Sequence, residues 1–412
     1  MATQTGYKAS ELGMIPQDWE IRRIGDFAPL QRGFDLPNSE IQSGDYPVVY
    51  SNGIGNYHNC YTVKSPCIAT GRSGTLGKVH YVEQDCWVHN TSLWVTKFDN
   101  CEPKFIYFLF QKIGFERFAS GSGVPTLNRN DAHEFKIALP KSTAEQTAIA
   151  TALSDTDALI SSLQTLIAKK KAIKLSAMQN LLSGKIRLPE FAQRPDGSPK
   201  TMRQTELGCV PEDWEVVELG DVGKTYGGLS GKDKSDFDTG NSFYVPFTNV
   251  MANIEVDKNQ LEKVEVNENQ NAVLEGDLLF NGSSEIPEEV CFASLVNFSL
   301  PNLYLNSFCF GFRLTKNTIY PKYLAYWFRS EIGRKTITFM AQGSTRYNVS
   351  KSEFVKLKLV IPSKPEQTAI AQLLSDMDAE IEALQCRLKK TQSLKQGMMQ
   401  ALLSGKIRLP LE

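Results

Sequence analysis

The sequence predicts an α+β protein: two mixed α/β globular domains joined by two long coiled-coil helices, arranged as a pseudo-two-fold internal duplication. Three observations predict it. Residues 145–189 (EQTAIATALSDTDALISSLQTLIAKKKAIKLSAMQNLLSGKIRLP) and 366–410 (EQTAIAQLLSDMDAEIEALQCRLKKTQSLKQGMMQALLSGKIRLP) align without a gap and match at about 27 of 45 positions. A second pair of segments, ELGMIPQDWE at 11–20 and ELGCVPEDWE at 206–215, opens each repeat. Between openings and helices, short alternating runs and turn residues indicate strands.

In chain order these give a globular domain at 1–142, a helical segment at 143–189, a connector at 190–199, a second globular domain at 200–362 and a second helical segment at 363–410. Strands are expected at 46–50, 79–82, 92–95, 243–247, 277–280 and 308–314. Pro103 and Pro321 each open a helix rich in aromatic residues, because a first-turn proline gives up no helical hydrogen bond and the aromatics need a core. The polar stretch 191–199 (FAQRPDGSP) reads as a surface connector and domain boundary.

The long helices carry their own punctuation. Ser142 with Glu145, and Ser363 with Glu366, have capping-box spacing, in which the hydroxyl takes the third amide and the carboxylate returns to the cap. Pro365 falls in the first turn, where it is tolerated. Apolar residues then recur by threes and fours: Ile149, Leu153, Ile160, Leu163 and Ile167 in one helix; Ile370, Leu374, Met377, Ile381, Leu384 and Leu388 in the other. Each helix stops at Ser-Gly, where glycine accepts the left-handed cap, and a basic, β-leaning KIRLP follows. A helix of about 38 residues is roughly 57 Å long, more than a compact domain of this size needs, so the two helices are expected to pack on each other. Lys169-Lys170-Lys171 reads as a solvated helix face.

The bulk chemistry is that of an ordinary cytoplasmic protein. Apolar residues make up 41% and charged residues 22%, no run of about 20 apolar residues is present, and no secretory h-region opens the chain. Eight dispersed cysteines without a CxxC pair read as reduced, mostly buried thiols. Net charge is −1. By segment, 13 basic and 14 acidic groups at 1–140 give −1, 8 and 5 at 141–199 give +3, 17 and 21 at 200–361 give −4, and 7 and 6 at 362–412 give +1. A lone nucleic-acid binder would be more basic, so a DNA role requires clustered cations or a phosphate grip shared with partners.

Enzyme constellations are missing. There is no GxGxxG, and GRSGTLGK at 71–78 is no P-loop, because Arg72 stands where the motif's first glycine is required, five before Gly77-Lys78, and Val79 replaces Ser or Thr. No Asn- or Asp-Pro-Pro-aromatic loop for amino-methylation occurs. The histidines (His58, His80, His89, His133) all lie in the first half and read as surface or hydrogen-bonding groups, and Glu285, Glu288 and Glu289 as solvated charges.

With the paired ELGxxPxDWE openings, the paired EQTAIA…LSDxDA helices ending in LLSGKIRLP, and the ordered loops YPVVYSNG (46–53), ATGRSGTLGKV (69–79), VPFTNV (245–250) and DLLFNGSS (277–284), nearly the whole chain resembles the specificity subunits of type I restriction-modification enzymes. The resemblance implies a DNA-reading subunit without catalysis. It would have two target recognition domains at opposite ends of an antiparallel helix pair, each reading half of a bipartite asymmetric site in double-stranded DNA. It further implies two methylation subunits using S-adenosylmethionine and restriction subunits using ATP and Mg, with no cofactor or metal in this chain and no membrane partner. The second half lacks the Gly-Arg-Ser-Gly-Thr-x-Gly-Lys loop, so the halves should read different bases. A scaffold with two ligand-binding domains that do not read DNA is the alternative.

Candidate DNA contacts follow from side-chain chemistry. Arg72 lies between glycines, where the backbone can approach a phosphate and the guanidinium can reach guanine O6 and N7. Lys78 suits a phosphate. Residues 121–129 (GSGVPTLNR) and 342–348 (QGSTRYN) are Gly-Ser loops followed by Asn and Arg, which nominates Arg129 and Arg346. Asn52, Asn249 and Asn281 could pair with adenine, backbone capping being the plainer use of a turn asparagine. Arg32, Tyr50, Ser73, Thr75, Asn128, Ser283, Ser284, Thr345, Tyr347 and Asn348 complete the set.

Overall fold

The computed structural model describes residues 6–120, 125–343 and 345–410. They form two compact units, residues 1–166 with 384–412, and residues 167–383. The divisions fall inside the long helices, so each unit is built from one globular part plus the first half of one helix and the last half of the other. The connector 190–199 lies within the second unit, folded as a turn closed by a hydrogen bond from Arg194 N to Ser198 O (2.8 Å), with the Arg194 guanidinium on Glu212.

Both globular parts use one plan. In the first unit a four-stranded antiparallel sheet runs in the order Leu30–Arg32, Ser92–Val95, Cys67–Gly71, Val79–Val82. A smaller sheet orders Gly53–His58, Tyr46–Tyr50 and Trp87–Val88, its last pair parallel. The second unit repeats this with Gly223–Gly227, Cys309–Leu314, Leu278–Asn281, Ala293–Leu295, and with Glu262–Val264, Phe237–Val245, Leu303–Leu305, again with a parallel last pair. The strand expected at 243–247 ends at Val245, and Phe247 starts a short helix, Phe247–Ala252, directly after Pro246. The aromatic helices are Pro103–Ile113 and Pro321–Arg329; they bury Phe105, Phe108 and Phe110 in one core, and Tyr323, Tyr326 and Phe328 in the other.

The long helices are Thr143–Leu182 and Lys364–Leu402. Within the first unit Ile149 and Leu153 share a core with Leu402 and Leu403, and Lys395 pairs with Asp157 (2.6 Å). Within the second, Met178, Leu181 and Leu182 share a core with Ile370 and Leu374, and Lys170 pairs with Glu380 (2.7 Å). In both units rising numbers on one helix meet falling numbers on the other, so the pairing is antiparallel. Ile160, Met377, Leu384 and Leu388 are only partly buried.

The most repeated residues build a clasp in each unit. Ser142 Oγ accepts from Glu145 N, but the Glu145 carboxylate does not return to the cap; it accepts from Arg408 Nε and Nη2 and from Trp19 Nε1 (3.3 Å). Arg408 also grips both Asp18 oxygens (2.9 and 2.8 Å). In the second unit Arg187 grips Glu366 and both Asp213 oxygens (2.8 and 3.1 Å). KIRLP is therefore not a strand; its arginine is the clasp. Gly184 and Gly405, at φ +71° and +70°, allow the approach, since a Cβ there would stand 2.5 Å from Pro211 or Pro16 of the openings. The buried Gln146 and Gln367 side chains hold the entry to the aromatic helix in each unit, accepting from Glu102 N and Tyr320 N (both 2.8 Å).

Candidate nucleic-acid interface

In each globular part three backbone segments meet beyond the end of the central strand. In the first unit, Cys67–Gly71 ends at a glycine whose Cβ would lie 1.8 Å from Thr75 O, so the loop 72–78 can curl back on the strand. Arg72 N and Ser73 N donate to Thr91 O (2.8 and 3.2 Å), Leu127 N donates to Arg72 O (2.9 Å), and Ser73 pairs with Thr126. Ser51 lies beside this loop: its amide faces Thr91 Oγ1, its carbonyl faces His80 Nε2 (3.2 Å), and a Cβ on Gly74 would stand 3.4 Å from its Oγ. The Tyr50 ring packs 4.5 Å from His89, with its hydroxyl held by Asn56 (3.1 Å).

Tyr50, Arg72, Ser73 and Thr75 are thus brought together, with Asn52 exposed in the neighbouring turn. The side chains of Arg72, Asn52 and Lys78 make no hydrogen bond or ion pair among the described residues, so their donors are available to a ligand. Arg32 is half committed to Asp35 (3.2 Å). Burial holds the His89 imidazole below its ordinary pKa despite Asp35, so the ring is neutral beside these cations at neutral pH. All four histidines are hydrogen-bonded: His58 and His133 accept backbone amides, and His80 and His89 bond Ser51 O and Thr91.

The second unit repeats the frame with other side chains. Gly282 N donates to Phe308 O (3.1 Å), as Arg72 N does to Thr91 O, and Ser283–Ser284 pairs with Tyr347–Asn348, as Ser73 pairs with Thr126. Arg346 Nε donates to Ser283 Oγ (3.1 Å), and Thr345 and Arg346 are exposed. Ser283, Ser284, Arg346, Tyr347 and Asn348 therefore form one cluster.

Several sequence assignments change. Asn249 is wholly buried; its amide bridges the Asp257 backbone on both sides (2.9 and 3.0 Å). Asn281 is wholly buried too, donating to Ser283 O and Glu289 O (3.2 and 2.8 Å) and accepting from Phe292 N (2.6 Å). Both side chains are wholly buried and bonded to the backbone around them, so they support loops and do not reach a base. Asn128 caps the short helix Arg129–Glu134. Arg129 opens that helix, and its counterpart is Lys351, which opens Lys351–Phe354 behind the Ser350 cap, rather than Arg346. Gly121–Ser122–Gly123–Val124 and Ser344 lie outside the described residues. Sequence reasoning passed over the turns at 89–91 and 306–308. Their signal is an Asn-bearing turn directly after the parallel strand of each smaller sheet.

Among the described residues no group of His, Cys, Asp or Glu could hold a metal, and all eight cysteines are free, five of them buried. No helix is long and apolar enough to cross a membrane. What the site offers is paired loops, exposed cations and hydroxyls on rigid sheets. The family described as "Type I restriction modification DNA specificity domain" matches residues 16–172 and 211–391, one stretch in each repeat. The chain belongs to the type I restriction-modification DNA specificity family. It is a specificity subunit with two DNA recognition domains, and it is not itself catalytic. The type I restriction enzyme MjaVIII specificity subunit of Methanocaldococcus jannaschii is 24% identical over 96% of this chain and 94% of its own. MjaX of the same organism is 25% identical over 98% and 97%. A crystal structure of a type I restriction-modification S subunit from M. genitalium shares the fold at a TM-score of 0.58 and 15% identity, covering 93% of this chain and 96% of that one.

Proposed function

We propose that this specificity subunit reads a bipartite, asymmetric site in double-stranded DNA, each recognition domain taking one half through the loop cluster described above. The observation that carries this is the repeated frame with exchanged chemistry: Arg72 in one domain falls where Gly282 falls in the other, and Thr91 where Phe308 falls. One frame carrying two different sets of side chains reads two different sequences. In the first domain Arg72, Ser73, Thr75, Asn52 and Tyr50 face the bases, with Arg32, Lys78, Asn128 and Arg129 at their margin. In the second domain Thr345, Arg346, Tyr347 and Asn348 do so, while Ser283 and Ser284 are buried beneath them, Ser283 Oγ accepting from Arg346 and Ser284 Oγ bonded to Ile286 N and Glu289. The recognition domains correspond to residues 1–142 and 200–362, the helical segments to 143–189 and 363–410.

A helix of 40 residues is about 60 Å long, enough to span half-sites about 34 Å apart, one turn of B-DNA. The helices thereby set the spacer, and they dock two methylation subunits that bring S-adenosylmethionine. Restriction subunits with ATP and Mg join that core in the cytoplasm. The near-neutral charge fits a subunit whose partners share the phosphate grip.

The test is a genome-wide methylation map of cells expressing this chain with its methylation subunit. Two short, different motifs separated by a fixed gap are expected. A palindrome, an uninterrupted motif or no motif would refute it.

A further inference from the structure

We propose that Phe308 is a base-reading residue of the second recognition domain, its ring meeting the methyl edge of a thymine in the major groove. This rests on the DNA-reading role proposed above. Phe308 is 61% exposed, and what sets it apart from other exposed apolar side chains is its place in the turn that meets the Gly282 loop. It is not loose. Its amide donates to Asn306 Oδ1 (2.8 Å), its carbonyl accepts from Gly282 N (3.1 Å), and Asn306 N is anchored on Val245 O (3.1 Å). Asn281 fixes the other side of that contact with its buried amide. The ring is thus presented from a rigid turn beside Ser283, on which Arg346 rests.

The first domain shows what the position is for. There Thr91 occupies the same place, its carbonyl taking Arg72 N, while its hydroxyl is spent on Ser51 N and His89. Thr91 supports and Arg72 projects. In the second domain residue 282 is glycine and projects nothing, so the outward side chain is the one at 308. A guanidinium suits guanine, and an apolar ring suits the thymine methyl, the one apolar feature on a major-groove edge.

The full chain, assembled with its methylation subunit, is presented with duplexes randomised across the second half-site, as wild type, Phe308→Ser and Phe308→Leu. Preference for thymine at one position should fall about tenfold in Phe308→Ser and be partly kept in Phe308→Leu, with the first half-site unchanged. A wild-type complex with normal two-part specificity and an unaltered Phe308→Ser overturns the Phe308 assignment alone. Failure of Phe308→Ser to assemble with the methylation subunit without DNA overturns it too, by making the ring a subunit contact. A wild-type complex that marks no two-part site overturns the underlying DNA-reading role, and this with it.

Discussion

Replacing Arg187 with alanine should cost the second unit about 3–5 kcal/mol, because it strands a buried carboxylate. The Arg187 side chain is 9% exposed and Glu366 1% exposed, so Glu366 has little water to fall back on once the guanidinium is gone. Asp213, a third exposed and also held by Lys200, loses less. Against a domain stability of about 5–15 kcal/mol this is a large fraction. Removing both members, Arg187→Met with Glu366→Leu, takes away the stranded charge and should restore most of the loss. Amide hydrogen exchange followed by mass spectrometry reads the effect by region. Peptides spanning 206–218 and 358–370 should open far more readily in Arg187→Ala, while 11–23 and 136–150, held by the Arg408 clasp, keep wild-type protection. A loss below about 1 kcal/mol, or a double variant as damaged as the single one, would refute the stranded-charge account.

Arg72→Ala should weaken methylation through the first half-site about 10-fold or more and leave the second half-site's base preference and the melting temperature unchanged, as scored on half-site variants. Asn281→Ala should cost about 2–3 kcal/mol in thermal unfolding, because two backbone carbonyls and an amide lose their partner; unchanged stability with lost DNA binding would return it to the contact set. The Arg187 and Lys200 interactions with Asp213 outweigh its burial and hold its pKa at about 2, below the ordinary 3.8. A depressed carboxylate adds stability above its unfolded pKa and loses it as pH falls toward the folded value. The second unit should therefore lose about 1 kcal/mol between pH 4 and 2 that Asp213→Asn lacks throughout, measured as urea midpoints.

Much of the fold was legible because the cues are local. Helix entry, Ser-Gly exit and apolar spacing depend on neighbours a few residues away, and the helices Thr143–Leu182 and Lys364–Leu402 follow them. The recognition loops were half legible. The glycines around Arg72 signal a tight loop whatever surrounds it, but nothing local tells whether an asparagine faces solvent. Asn52 is exposed in a turn and Asn281, the last residue of a strand, is wholly buried, though both stand directly before a glycine. Arg346 was likewise assigned the wrong counterpart, because a sequence alignment follows residue type while strand pairing follows backbone register.

The sequence by itself determined the duplication, the pair of long helices and the family, because repetition and period survive without coordinates. Tertiary structure decided why the repeated residues are repeated. Glu145 and Glu366 looked like caps and are clasp anchors; the arginines of KIRLP looked like strand residues and close each unit from more than 170 positions away in sequence. Local spacing cannot show such a contact, since a buried ion pair joins residues by where the chain brings them and not by where they stand along it.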